Sequence, residues 1–470
     1  MTHLSRGLVF CIVLSFILAP LSFVNAQGGP ASLDDHPLME MLALVPNTDL
    51  IRVGTINDPA SLMPYITFVN YRAVLEADPD FPYPADYADY AAQVERGREA
   101  WKVAPFRIAS EPTLPLLWQG TGAERDPVTL NRTGPLVGEV METLTGMDYF
   151  DIHTGMTLGR PPTHGMIFGG DLDLDAIGAA HMARDYAENS VQGLRVWCSG
   201  KAGCEGGNET DGPESIEFYN VFDNRIGRQP PFLGAEGSSA NYIAGAFDYD
   251  LLLAMVDSAA DASDSLADAE DYRTLASALI DPERYTGDLL QAHLFPGHMT
   301  SAPANLTTWA LAMGASGLDE WVAPADWADY GTLPAYQLMA LADRQEGDEV
   351  VTMVALLYPD AAEAEAALPE LTARLTTYAS ALEWRTNEPV LSSRPANPSI
   401  QDSYVHIDAE TGWAAAVVTL RNDFSFVSDG SGETVSNYNV LYPLYAQDIL
   451  SQAFYPLWTA DFSNWQAWEN

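Results

Sequence analysis

Lysine is nearly missing from this chain. Of its 22 basic residues only Lys102 and Lys201 are lysines, set against 65 acidic residues, and the formal net charge is −43. A field of that sign repels phosphate backbones and anionic head groups, which argues against nucleic acid and membrane surfaces as partners and favours cations. Cysteine is scarce as well, three in 470 residues, so neither a dense disulfide scaffold nor a cysteine-rich metal module organises the fold. Past the amino-terminal segment no stretch comes near 18 uninterrupted apolar residues, and no later membrane-spanning helix is expected. Catalytic signatures are missing too. There is no HExxH, no GxSxG elbow, and no GxGxxG or phosphate loop at a strand-to-helix turn. That leaves open serine enzymes whose triads are scattered along the chain, and 65 carboxylates hide any glycosidase pair.

What is present begins with an export signal. Arg6 and the amino terminus supply positive charge, Gly7 to Leu18 an apolar run, and Val24-Asn25-Ala26 the small residues of a cleavage point. Residues 1–26 therefore read as a signal peptide. A retained anchor is the rival, but Pro20 interrupts the run. Cleavage removes Arg6 and no acid, so the mature net charge becomes −44, with no stable membrane insertion expected after removal. Hydrophobic residues make up 47% of the chain, enough for real cores in a soluble body.

Loss of Cys11 with the signal leaves Cys198 and Cys204, a matched pair across a short flexible loop that suits one local disulfide in an oxidising compartment. Two free thiols are the alternative. The acids read first as a solvated surface for a cation-rich medium. The sharper reading is calcium at Asp171, Asp173 and Asp175, whose alternation resembles the start of a calcium loop. However, Ala176 and Met182 stand where that loop needs glycine and glutamate, so a helix cap is favoured. Asp429 to Glu433 offers similar letters but spells a hairpin turn. No other cofactor is indicated, and the histidines read as core or surface residues. The tryptophans at 458, 465 and 468 suggest a sugar-stacking surface less than they suggest packing.

Three segments share one pattern: an apolar strand, an aspartate, then a helix. They are Gly165 to Gly169 through Asp171 into Leu174, Tyr242 to Phe247 through Asp248 into Leu251, and Val351 to Tyr358 through Asp360 into Ala361. Further strands are expected at Leu194 to Trp197, Leu289 to Leu294, Tyr336 to Ala342, Trp413 to Leu420 and, more weakly, Leu50 to Val53. Ser265 to Asp268 reads as a capping box opening a helix to about Ile280. Ser199 to Ala240 reads as a long insertion and Asn387 to Asp402 as a loose stretch. The opening Pro84 to Tyr90 returns almost letter for letter at Pro324 to Tyr330, as a reused helix start.

Together these predict an α+β protein built from two ferredoxin-like modules with helices covering mostly antiparallel sheets, plus a helical N-terminal part. The expected division is 27–150 for the mainly helical region, 151–300 for the first module with its insertion at 199–240, and 301–470 for the second module with a C-terminal helix.

Short features spread over most of the mature chain resemble uncharacterised secreted proteins of filamentous green non-sulfur bacteria, the Chloroflexota. These are Ala43 to Thr48, Asn70 to Ala73, the Gly159 to Pro162 turn and Ser265 to Asp268. The resemblance implies no activity. The functional expectation is an extracytoplasmic, non-enzymatic binding or interaction protein with an extracellular or cell-envelope ligand. A secreted hydrolase, possibly glycan-directed, and a cation-dependent structural component of the cell surface are the alternatives.

Overall fold

The computed structural model describes residues 32–53, 66–76, 82–86, 88–89, 92–93, 142–143, 145–160, 163–199, 204, 219–220, 225–226, 231–246, 248–297, 333–347, 349–376 and 399–421. The signal peptide, the Asp429 to Glu433 turn, the carboxy-terminal tryptophans and C-terminal helix and the Pro324 to Tyr330 copy lie outside them.

Two short helices come first, α1 (Pro37–Leu42) and α2 (Asp49–Arg52), followed by β1 (Ile66–Asn70) and α3 (Tyr71–Glu76). Strands β2 (Ile152–Arg160) and β3 (Thr163–Gly170) form a hairpin. It leads into α4 (Leu174–Met182) and a second hairpin of β4 (Tyr186–Val191) and β5 (Leu194–Ser199). A small ribbon, β6 (Tyr219–Asn220) and β7 (Arg225–Ile226), precedes a third hairpin of β8 (Phe232–Glu236) and β9 (Asn241–Ala246). Helices α5 (Tyr249–Ala259) and α6 (Glu270–Ile280) follow, then β10 (Leu289–Pro296), β11 (Leu338–Glu346), β12 (Glu349–Tyr358), α7 (Ala361–Thr376), β13 (Ser399–Ile407) and β14 (Ala414–Arg421).

All strands except the β6–β7 ribbon join one 12-stranded antiparallel sheet in the order β13-β14-β12-β11-β10-β1-β2-β3-β9-β8-β5-β4. This overturns the expectation of two ferredoxin-like modules. The reason is that β1 pairs with β2 on one side and with β10 on the other, and β10 pairs in turn with β11, so one ladder runs across the expected boundaries at 150 and 300. Two arms of like connectivity leave this centre. In each, a hairpin feeds a helix, and a second hairpin places its first strand at the outer edge, β4 in one arm and β13 in the other. The first arm carries one addition, the β8–β9 hairpin wedged between β3 and β5.

Local chemistry explains the repeated steps. Asp173 accepts from the amides of Asp175 and Ala176 at 2.9 and 3.1 Å to start α4, Asp248 from Asp250 at 2.8 Å to start α5, and Asp360 from Glu363 at 2.9 Å to start α7. All three strand-aspartate-helix readings hold, with Asp173 rather than Asp171 as the cap of α4. The β4–β5 turn places Gln192 and Gly193 at φ 53° and 88°, the left-handed pair that matches hairpin twist.

Helices cover both faces. One face packs Phe68, Leu158, Ala244, Leu294, Ala340, Met353 and Val417 against α1, α5 and α6. On the other, Val74 of α3 meets Leu290, and Trp197 lies against Gly178 of α4. Strands covered on both faces take mostly apolar side chains, which is why β10 and most of β14 are buried without alternation.

Several local expectations are corrected. Leu50 to Val53 is helical, because Thr48 and Asp49 begin a turn there. The 199–240 segment is not wholly an insertion, since Phe232–Glu236 is a strand of the main sheet. Ser265 does pair with Asp268, at 2.6 Å, yet α6 begins only at Glu270. The loose stretch before Asp402 already contains the start of β13.

Candidate active site

Helix α6 turns one stripe toward the edge strand β13: Thr274, Ser277 and Asp281 recur at helical spacing. The face of β13 that meets this stripe carries Asp402, Tyr404 and His406, with Asp408 just beyond the strand. The two rows interlock through polar contacts. Arg284 donates to Asp402, Tyr285 bonds Tyr404, and Thr274 donates to Asp408 at 3.1 Å.

At the centre of this seam are Ser277, His406 and Asp281. The Ser277 hydroxyl and His406 Nε2 stand 2.8 Å apart, while Nδ1 of the same ring faces Asp281 Oδ2 at 3.6 Å. Asp281 closes the carboxyl end of α6, and its other oxygen accepts from the Glu283 amide at 3.1 Å, which orients the carboxylate. With Nδ1–H toward the carboxylate, Nε2 is left as an acceptor for the serine proton. This is the order of roles in a serine-histidine-aspartate relay. The His406 side chain keeps 16% of its surface exposed and Asp281 21%, so the relay is partly buried with some access to solvent.

Electrostatics suit a base. Burial lowers the His406 pKa from its ordinary value, opposed by the nearby carboxylates Asp281 and Asp408 and aided by Arg284. The imidazole is therefore neutral at pH 7. Ser277 lies in the last turn of α6, where the negative end of the helix dipole favours an imidazolium once a proton has arrived. The same field opposes an oxyanion, so stabilising charge has to come from another element. Arg284, stacked 3.4 Å from the Tyr404 ring centre, is the cation that acts on His406.

A second polar group crosses the opposite face of the sheet. Thr67 and His293 Nδ1 are 3.2 Å apart across β1 and β10, and Asp343 accepts from both Gln291 and Thr352. All are buried, and among the described residues His293 Nε2 has no hydrogen-bond partner. Sealed from solvent, this belt holds the sheet centre rather than offering a site.

The aspartates expected for calcium are sent three ways. Asp171 faces His153 at 3.7 Å, Asp173 caps α4, and Asp175 pairs with Arg195 at 2.7 Å. Among the described residues no three histidine, cysteine, aspartate or glutamate side chains converge as a metal site. Cys198 and Cys204 are at disulfide distance, with Cα atoms 4.8 Å apart. Among the described residues no helix is long and apolar enough to cross a membrane.

Sequence reasoning missed the relay. Its one local trace is Ser277 and Asp281 four apart on a helix, a spacing too common to notice. His406 lies 129 residues from Ser277, on a strand for which the sequence carried no expectation. His293 lies on the strand expected at Leu289 to Leu294. Compared with protein families, curated proteins and solved structures, the chain matches none.

Proposed function

We propose that the protein is an exported serine hydrolase acting by acyl transfer at Ser277. The observation that supports this reading is the order of contacts, a 2.8 Å hydrogen bond from Ser277 to His406 and a 3.6 Å approach of the same ring to Asp281. Ser277 Oγ attacks an ester or amide carbonyl carbon while its proton passes to His406 Nε2. The collapsing tetrahedral intermediate expels the alcohol or amine, which leaves with that proton. Water, deprotonated by the same nitrogen, then releases the acid and restores the serine. Asp281 holds the ring orientation and stabilises the imidazolium. The expected signal peptide and the Cys198–Cys204 pair support an extracytoplasmic place of work. Treatment with a fluorophosphonate should add one adduct at Ser277, lost in His406→Ala. An unlabelled Ser277 in folded protein would refute the reading.

A non-enzymatic binding protein is the second reading, and the same seam favours it in one respect. The flanking pairs Arg284–Asp402 and Thr274–Asp408 fasten β13 to α6, and Ser277–His406 also serves as one more fastener in that row. On this reading Ser277→Ala lowers stability by about 1 kcal/mol and changes no chemical reactivity.

A further inference from the structure

We infer that the seam takes an extended, basic polypeptide segment, added as an antiparallel strand to the outer edge of β13, which has no partner strand among the described residues. The inference rests on the serine-hydrolase reading and names its substrate class. Strand β13 ends the sheet, and among the described residues nothing pairs with its outer side. An open edge offers a row of free amides and carbonyls that an extended segment satisfies with its own backbone, whatever its sequence. Because His406 belongs to this strand, a backbone laid along the edge brings its carbonyls beside the relay.

Charge selects among extended segments. Asp402, Glu283 and Glu410 are exposed around the edge, and Asp408 is held anionic. Although burial opposes it, amide bonds from Glu410 and Thr411 and the Thr274 hydroxyl bring the Asp408 pKa below its ordinary value. The cation at this edge, Arg284, is already paired with Asp402 and stacked on Tyr404. Around this edge lies a chain of net charge −43, which repels acidic segments and a second copy of itself while attracting basic ones. Side chains of an added strand that share the His406 face stand next to Asp408 and to Asp402, so Arg or Lys there meets Asp408 or shares Asp402 with Arg284, while Asp or Glu meets like charge.

The test uses the full mature chain and two internally quenched decapeptides of high β propensity, one with central arginines and one with glutamates at the same places. Binding is read by fluorescence anisotropy on Ser277→Ala, cleavage on the unaltered protein. The arginine peptide should bind, weaken with added salt, bind about tenfold less well to the doubly altered Glu283→Gln, Glu410→Gln protein, and be cleaved. Equal binding of both peptides, or binding of neither, overturns the inference even when Ser277 takes a fluorophosphonate. Arginine-selective binding without any adduct at Ser277 keeps the surface and overturns the hydrolase reading instead.

Discussion

A serine hydroxyl beside a histidine is common in proteins. Ser277 differs because the far nitrogen of that ring meets a carboxylate whose second oxygen is tied to the Glu283 amide. Asp281→Asn should therefore keep the fold while lowering turnover by roughly 10²- to 10⁴-fold, since the amide favours the wrong tautomer. Unchanged ester hydrolysis in that variant would show Asp281 to be a bystander. The pH profile belongs to the same residue. Because His406 titrates below its ordinary value, activity should rise with pH and be half-maximal below pH 6.5. Three other histidines act on stability. Burial first of all brings His36 and His293 down to about 4 and His181 to about 3. The unfolded chain accepts these protons near pH 6.5, so acid favours it. Their contribution is whole above about pH 6.5 and is lost as pH falls from there toward 4, on the order of a few kcal/mol for each group. Urea unfolding followed from pH 7 to pH 4.5 should show that decline, and His293→Gln should make it shallower. None of these environments could be read from the letters, because a histidine's burial depends on strands far away in the chain.

Elements were easier to read than residues where the signal was local. Aspartates before helices, apolar runs for β5, β10, β12 and β14, and the amphipathic stripe of α6 all act within a few residues, and the sequence carries them. Edge strand β13 was hidden, because its exposed polar letters look like loop once half of its pattern faces water. Trp197 gives a test of packing between elements. It stacks on Phe232 at 4.9 Å and lies between Gly178 and Gly234, where an added Cβ would come within 2.9 Å of the indole. Trp197→Ala should cost about 3 to 5 kcal/mol in chemical denaturation. A loss under 1 kcal/mol would mean α4 is not seated on the sheet as described. The Cys198–Cys204 link closes a small loop at the end of β5, far along the sheet from β13. Its reduction should lower stability by no more than about 2 kcal/mol and leave Ser277 reactivity unchanged.

At the scale of the molecule, the sequence indicated the class of elements but not their assembly. Strand-helix steps of this kind fit two small modules as well as one long sheet. The choice is made by β1, five residues whose pairing with both β2 and β10 no local pattern announces. The charge, in contrast, was plain from composition. A body of net charge −43 repels itself, so salt should raise the melting temperature steadily between 0.05 and about 1 M, as screening predicts. The same sheet that fuses both arms ends at β13 and presents the relay there, which joins the fold to the proposed chemistry. The most direct test is intact-mass analysis of the mature protein after incubation with a fluorophosphonate. A single adduct mapped to Ser277, absent from His406→Ala protein that still melts cooperatively, is the expected result. No adduct, or one that forms equally well without His406, would contradict the account.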